Sequence, residues 1–425
     1  MPSILIVTGW FSPSRQIGAR RVERMAAQLL ASGWQVTVLC PHPAYMAPID
    51  SELAGPPVER IGVHVLTPSA FAAARLGRHH MRAAPTPGPG GSQRPSQRWT
   101  GLNSFKTLAK NAASRTLRLS DFPDATIGML APALAALAGR RFDVVLGSLP
   151  WRSIGPIAAA LARLTGARLV LDYRDPWTEG LGDQRGEARH PKAWHRWLED
   201  QCLAQASLVT GVSPTIVGWL QRRARCPVEL VTNGYLAVPR PRPAPPAPPT
   251  RLVYAGSLAY GRDLKPVLQA AAALGLGPQQ LTIDIAGPHG AAVLAQAAEL
   301  ALDPALVVDH GALSAAGAQE MVERGHVALV LGSPGYEYAY PGKIFEILSL
   351  QRPMWLLSPP GADAQTLIED HQLGWVSDPA DSAEVQRTLA AILRGPPPQP
   401  RDLESLQAPV VMDRLEKLLR GVAGA

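Results

Sequence analysis

Acidic residues are missing from a long stretch of this chain. From Arg60 to Ser120 there is no Asp or Glu, while Arg75, Arg78, Arg82, Arg94, Arg98, Lys106, Lys110, Arg115 and Arg118 fall within it. Cysteine is scarce too. The three thiols, Cys40, Cys202 and Cys226, form no CxxC pair, which argues against a disulfide framework or a cysteine-rich zinc site and fits a reducing compartment. No run of about 20 apolar residues occurs, so no transmembrane helix is expected. The chain opens Met1-Pro2-Ser3 straight into Ile4–Val7, with no charged region ahead of a long apolar run. No secretory leader is therefore expected, and a cytoplasmic setting is. The first glycine-containing loop, Gly9 to Gly18, is not GxGxxG, and the second apolar run ends Leu39-Cys40-Pro41-His42 without an acid. Both absences argue against a nicotinamide dehydrogenase. No DxD-type acidic pair stands in a predicted loop; Asp124 and Asp143 read as structural, and no metal ion or other cofactor is expected.

What is present is length, apolar content and positive charge. With 425 residues, 46% of them hydrophobic, the chain can build two or three domains with cores of their own. The net charge of +7 suits an anionic partner. Within the acid-free stretch, Ala83–Ser96 is rich in Pro, Gly and Ser, and Phe105, Leu108, Ala109 and Ala112 share one helical face. Two readings stay open for it: contact with an anionic membrane or phosphorylated acceptor, or a solvated insertion packed on its own domain. Trp99 and Phe105 lie there, but no RNA or DNA motif does, so no nucleic-acid partner is expected.

Elsewhere short apolar runs alternate with helical patterns. Ile4–Val7 and Gln35–Leu39 read as buried parallel strands flanking a helix on which Val22, Met25, Ala26, Leu29 and Leu30 share a face opposite Arg21, Arg24 and Gln28. The βαβ alternation continues to residue 238. It is broken by the proline-rich linker 239–250 and restarts over 251–395, with a helical tail in 396–425. The expected architecture is α/β: two Rossmann-like domains facing each other across a cleft, residues 1–238 (with a basic insertion at about 72–120) and 251–395, the tail packing back toward the first domain.

Ligands in such folds bind beyond the carboxyl ends of strands, which directs attention to four segments. Gly18-Ala19-Arg20-Arg21 opens the first helix, where amides can approach a phosphate. Asp172-Tyr173-Arg174-Asp175-Pro176-Trp177 follows a strand, and Arg174 and Asp175 are expected in the cleft, the alternative being a salt bridge that shapes the loop. Gly256-Ser257-Leu258-Ala259-Tyr260-Gly261-Arg262-Asp263-Leu264-Lys265 joins a strand to a helix and combines free backbone with two cations, which is what a diphosphate needs. In Pro341-Gly342-Lys343-Ile344-Phe345-Glu346, Lys343 and Glu346 share a helical face. The acid can accept from ribose hydroxyls while the lysine meets phosphate; the plainer alternative is an ion pair between them, worth at most about 0.5 kcal/mol.

Through these four segments the chain resembles the GT-B glycosyltransferases, in particular the large retaining family (glycosyltransferase family 4-like) of bacterial polysaccharide and phosphoinositol mannosyltransferases. The resemblance implies transfer of a sugar from a nucleoside diphosphate sugar to a hydroxyl, with retention, in glycan, glycolipid or glycoconjugate biosynthesis. It places the donor mainly on the second domain: Arg262 and Lys265 at the diphosphate, Glu346 at the ribose, and Gly256, Ser257, Tyr260, Tyr338 and Lys343 around them. Gly18 would approach the diphosphate from the first domain. Arg174, Asp175 and Arg262 are the expected catalytic set, and Arg20, Arg21 and Trp177 the expected acceptor contacts. Glu346 matches the second member of the family's acidic pair, whereas Tyr338 stands at the first. The acceptor is expected to be lipid-linked at the inner membrane face. Two rivals are an epimerase or hydrolase using Asp175, Glu179 and His289, and an inactive partner subunit.

Overall fold

The computed structural model describes residues 1–14, 16–46, 49, 55–66, 124–180, 193–237 and 249–424. The basic insertion and most of the proline-rich linker lie outside the described residues. The first sheet contains β1 (Ser3–Thr8), β2 (Gln35–Pro41), β3 (Glu59–Val63), β4 (Val144–Leu149), β5 (Arg168–Tyr173), β6 (Ala206–Gly211) and β7 (Val228–Leu230), in the order β3-β2-β1-β4-β5-β6-β7. All its pairings are parallel. Helices α1 (Ile17–Ala31), α2 (Leu130–Ala136), α3 (Ile154–Thr165), α4 (Ala193–Gln205) and α5 (Pro214–Gln221) cover it. Helices on both faces bury the central strands, which is why β1 reads as an unbroken apolar run: Ile4, Leu5, Ile6 and Val7 are all fully buried.

The second sheet, also parallel, has the order β10-β9-β8-β11-β12-β13. Its strands are β8 (Thr250–Ala255), β9 (Leu281–Ala286), β10 (Val307–Asp309), β11 (Val327–Leu331), β12 (Met354–Leu357) and β13 (Gly374–Ser377). Its helices are α6 (Lys265–Ala273), α7 (Gly290–Glu299), α8 (Ala315–Arg324), α9 (Lys343–Ser349), α10 (Asp363–Asp370) and α11 (Ser382–Arg394). Strand order reverses between β1 and β4 in the first sheet and between β8 and β11 in the second. A crevice opens at such a reversal because the flanking loops leave in opposite directions. The glycine-rich segments around Gly18 and Gly256 follow β1 and β8.

The last helix, α12 (Ala408–Ala423), crosses back to the first domain. Its Val411, Met412, Leu415 and Leu419 are buried with Val22, Met25 and Leu29 of α1, each side chain worth about 1.5–3 kcal/mol of apolar burial. Trp34 Nε1 donates to Glu416 Oε1 at 2.9 Å. The two crossing segments are stitched together: Tyr235 N donates to Leu406 O (2.9 Å) and Ala408 N to Tyr235 O (2.7 Å). Gly234, at φ +64°, lets them meet, since a Cβ there would stand 2.6 Å from Ala408 Cα. Among the described residues no helix is long and apolar enough to cross a membrane.

Candidate active site in the interdomain cleft

The loop after β8 turns sharply. Tyr260 (φ +63°) and Gly261 (φ +76°) are consecutive left-handed residues. For a tyrosine that conformation costs roughly 1–3 kcal/mol, a strain that clusters at ligand sites. Tyr254 Oη donates to Ser257 O at 2.8 Å and holds the loop's first turn. Beyond the turn, Arg262 buries its Nε with no hydrogen-bond partner, and Lys265 opens α6, exposed. Lys343, in the first turn of α9, reaches the same place: a Cβ added at Gly256 would lie 3.2 Å from Lys343 Cε and 3.1 Å from Tyr254 Oη. Only glycine leaves that space open. Among the described residues, no carboxylate pairs with Arg262, Lys265 or Lys343, and Lys343 and Glu346 form no ion pair with each other. The plainer alternative for that pair is thereby set aside. Lys343 beside Gly256, and Arg262 near Tyr254, are cations without a carboxylate partner among the described residues, and such cations attract anionic oxygens.

Two cavities flank this point. One, of ≈ 450 Å³, lies between α8 and α9 and is lined by Val253, Ala255, Ala318, Gln319, Lys343 and Glu346. The other, of ≈ 140 Å³, lies beyond β11 and β12 and is lined by Tyr260, Arg262, Ser333, Tyr336, Pro341 and Ser358 among others. Lys343, over Gly256, stands where the first cavity meets the cationic loop.

The first domain faces the site with the start of α1. Arg174 Nη1 donates to Gly18 O, and its guanidinium lies 5.7 Å from the Trp10 ring centre. A Cβ at Gly18 would stand 2.3 Å from Trp10 and 2.7 Å from Arg174 Nη2, so a larger residue would displace both. Burial lowers the Arg174 pKa, partly offset by Asp172 and Asp175. Asp175 is exposed at the cleft end of β5. Arg24, on α1, donates to Asn233 O and Gly234 O at 3.2 Å each and feels the charge of Glu346 across the cleft.

Three expected site residues have other surroundings. Arg21, placed by periodicity on a polar face, is buried: it donates to both Asp172 oxygens (2.7 and 3.1 Å), to Val231 O (2.8 Å), to Thr232 O (2.6 Å) and to Asn233 Oδ1 (3.3 Å). With its fork committed this way it fixes α1 to β5 and to the crossing segment and has no N–H to turn toward an acceptor. Trp177 is 1% exposed and belongs to the core of the first domain, against Gly155 and Cys202. Tyr338 is buried against Trp219 of the other domain, ring centres 5.3 Å apart. Arg20 remains exposed, 3.5 Å from Glu23.

Tyr338 belongs to a contact that periodicity and motifs did not reveal. Ser213 Oγ donates to Tyr338 O at 2.5 Å. The Asp363 carboxylate accepts from Thr215 N (3.0 Å) and Thr215 Oγ1 (2.8 Å), capping α5 from the opposite domain. A serine ahead of Pro214, an N-terminal helix proline, was the available hint of a cap; its partner 148 residues away was not readable.

A family model described as a glycosyl transferase 4-like domain matches residues 18–234, just over half the chain. The chain belongs to this family. It is a glycosyltransferase, and its paired parallel sheets are the GT-B fold of the solved structures it is similar to. These include a sucrose-phosphate synthase from Thermosynechococcus elongatus (13% identity, TM-score 0.57, covering 100% of this chain and 96% of that one). The lipopolysaccharide outer core galactosyltransferase WaaB, in its apo form, gives 13% identity and a TM-score of 0.59, with 99% of each chain covered. HepE from Anabaena, in complex with UDP, gives 12% and 0.55, covering 99% of this chain and 100% of that one. No curated protein sequence matches this glycosyltransferase significantly.

Two features bear on the rival chemistries and on the thiols. Glu179 pairs with Arg196 at 3.4 Å, and His289 Nδ1 accepts from Leu258 N at 3.3 Å, so both are engaged in loop structure and lie in different domains. Burial pushes the Cys40 and Cys202 thiols up to about 12, which keeps them inert near neutral pH.

Proposed function

We propose that this glycosyltransferase moves a sugar from a nucleoside diphosphate sugar to a hydroxyl acceptor with retention of configuration. The observation that carries the reading is Lys343 standing over Gly256, with Arg262 beside Tyr254 of the same loop, neither cation paired with a carboxylate among the described residues, and with Glu346 one helical turn from Lys343. In this reading the nucleoside occupies the cavity between α8 and α9, with Gln319 on its wall and Glu346 accepting from the ribose hydroxyls. Lys343, Lys265 and Arg262 neutralise the diphosphate, and the start of α1 at Gly18, held by Arg174, completes the cradle. The similarity to HepE, whose structures carry UDP and UDP-glucose, supports a nucleotide donor.

The bond from C1 to the phosphate oxygen breaks as the acceptor oxygen bonds to C1 on the same face. The acceptor proton passes to the leaving phosphate. This scheme asks for no protein nucleophile; the protein's part is orientation, charge neutralisation and exclusion of water. Three side-chain cations supply the charge for which other transferases use a divalent ion, so we propose metal independence.

A thermal-shift panel of UDP, GDP, dTDP, ADP and CMP, run with and without EDTA beside Glu346→Ala, tests the reading. One nucleotide should stabilise the wild type with or without EDTA and lose most of its effect in the variant. No response to any of them would remove the donor site. A lipid-linked acceptor at an anionic inner membrane face is the finer proposal, resting on the acid-free stretch of Arg60–Ser120. Unchanged binding to anionic liposomes after deletion of Arg75–Arg118 would sink it.

A further inference from the structure

We infer that Trp219, on α5 of the first domain, is a positioning residue for the transferred sugar: through Tyr338 and Tyr336 it sets the aromatic wall of the ≈ 140 Å³ cavity, which it does not itself line; the inference rests on the cleft being a nucleotide-sugar site. The loop of residues 332–342 joins β11 to α9 in the second domain. Yet Tyr338 is buried in the core of the first domain, and Tyr336 and Ala339 pack against that same core. Trp219 is where they meet it, its ring centre 5.3 Å from that of Tyr338. Gly180, at φ +65°, leaves room for the pair, since a Cβ there would stand 2.3 Å from Trp219 and 3.1 Å from Tyr338. Two bonds fix the loop backbone as well. Ser213 Oγ donates to Tyr338 O, and Asp363, whose carboxylate is held by Thr215, donates its N–H to Glu337 O at 2.8 Å.

From Tyr338 the rings run on toward the cationic loop. Tyr336 lies 5.9 Å from Tyr338 and 6.2 Å from Tyr260, centre to centre, distances at which aromatic rings attract one another. Tyr260 ends the chain, 53% exposed and left-handed at φ +63°; such a conformation persists only where the surroundings hold it. Tyr260 and Tyr336 line the smaller cavity beside Arg262. In the proposed reading the nucleoside fills the larger cavity and the diphosphate meets Lys343 and Arg262. The sugar, carried on the far phosphate, then lies on the Arg262 side, against these two rings. The C–H faces of a sugar ring pack on aromatic rings, and a site orients its ligand only as well as its wall is held. Trp219 holds this wall from the opposite domain, so the sugar subsite is complete only while the two domains are together.

The full-length protein is titrated calorimetrically with the nucleoside diphosphate that the thermal-shift panel identifies and with its hexose ester (UDP and UDP-glucose, for example). Trp219→Ala should weaken the ester at least about fivefold, within the range an aromatic contact supplies, and leave the free nucleoside diphosphate within about twofold. Trp219→Phe, which keeps a ring, should recover most of the loss. Trp219→Leu, which keeps apolar bulk without a ring, should not, and it carries the test if Trp219→Ala does not fold. Tyr260→Ala should show the same selective loss. The double variant of Trp219→Ala with Tyr260→Ala should lose no more than about the larger single loss, because both act through one chain of contacts. Equal weakening of the two ligands by Trp219→Ala overturns the inference and leaves Trp219 a purely structural part. Unchanged ester affinity, full recovery by Trp219→Leu, or losses that add in the double variant overturn it too. Failure of every nucleotide to bind the wild type would instead overturn the underlying donor site.

Discussion

Arg21 and Asp172 share a bidentate bond in the interior, with Ser148 and Thr210 completing the carboxylate's partners at 3.0 and 2.8 Å. Burial alone would push the Asp172 carboxyl up, but the Arg21 guanidinium, the Thr210 hydroxyl and the charge of Arg174 together hold the carboxyl below its usual range. A depressed carboxylate stabilises the fold at pH above its unfolded value, about 4, and that contribution fades as the pH falls through the folded one. Arg21→Ala should therefore destabilise by about 3–5 kcal/mol in denaturant unfolding at pH 7, with the difference from wild type narrowing in acid. A loss under 1 kcal/mol would show the pair to be dispensable. The role of Arg21 was hidden in the sequence because its partners lie 151 and 211 positions away, and a helical wheel registers only charge. That Lys343 and Glu346 share a helix was legible because their relation is local, three residues apart in α9.

Elements were easier to read than residues. Parallel strands buried on both faces leave continuous apolar runs, and each βα loop is punctuated by glycine or proline, so the two sheets could be counted from the sequence. Ends are less legible: proline is favoured in the first turn of a helix, yet Pro341 stands ahead of α9, which starts at Lys343 with Gly342 as its cap. Contacts between elements of different domains left little trace. The cap that Asp363 places on α5 is one of these, and it closes the far side of the cleft. Asp363→Ala should cost about 1 kcal/mol at that helix end and loosen the closed arrangement, seen as a larger radius of gyration in solution scattering without nucleotide. An unchanged radius together with unchanged donor affinity would mean the contact does not govern closure.

Across the whole molecule, two doubly wound domains bring their strand-order reversals to one cleft, and two crossing segments paired at Tyr235 and Ala408 form the natural hinge. The α1 side supplies Gly18, Arg174 and Trp10; the second domain supplies the cations, Glu346 and both cavities. On the proposed reading, binding energy gained by the nucleotide on the second domain would draw the first domain over the sugar and expel water. This division assigns donor affinity to the second domain and turnover to both, so the most direct measurement is calorimetric titration of the stabilising nucleoside diphosphate into wild type and Lys343→Met. Loss of a charge-assisted contact to phosphate should weaken binding at least about tenfold with unfolding stability unchanged, since the Lys343 side chain makes no ion pair or hydrogen bond among the described residues. Equal affinity in the two proteins would contradict the donor site described here.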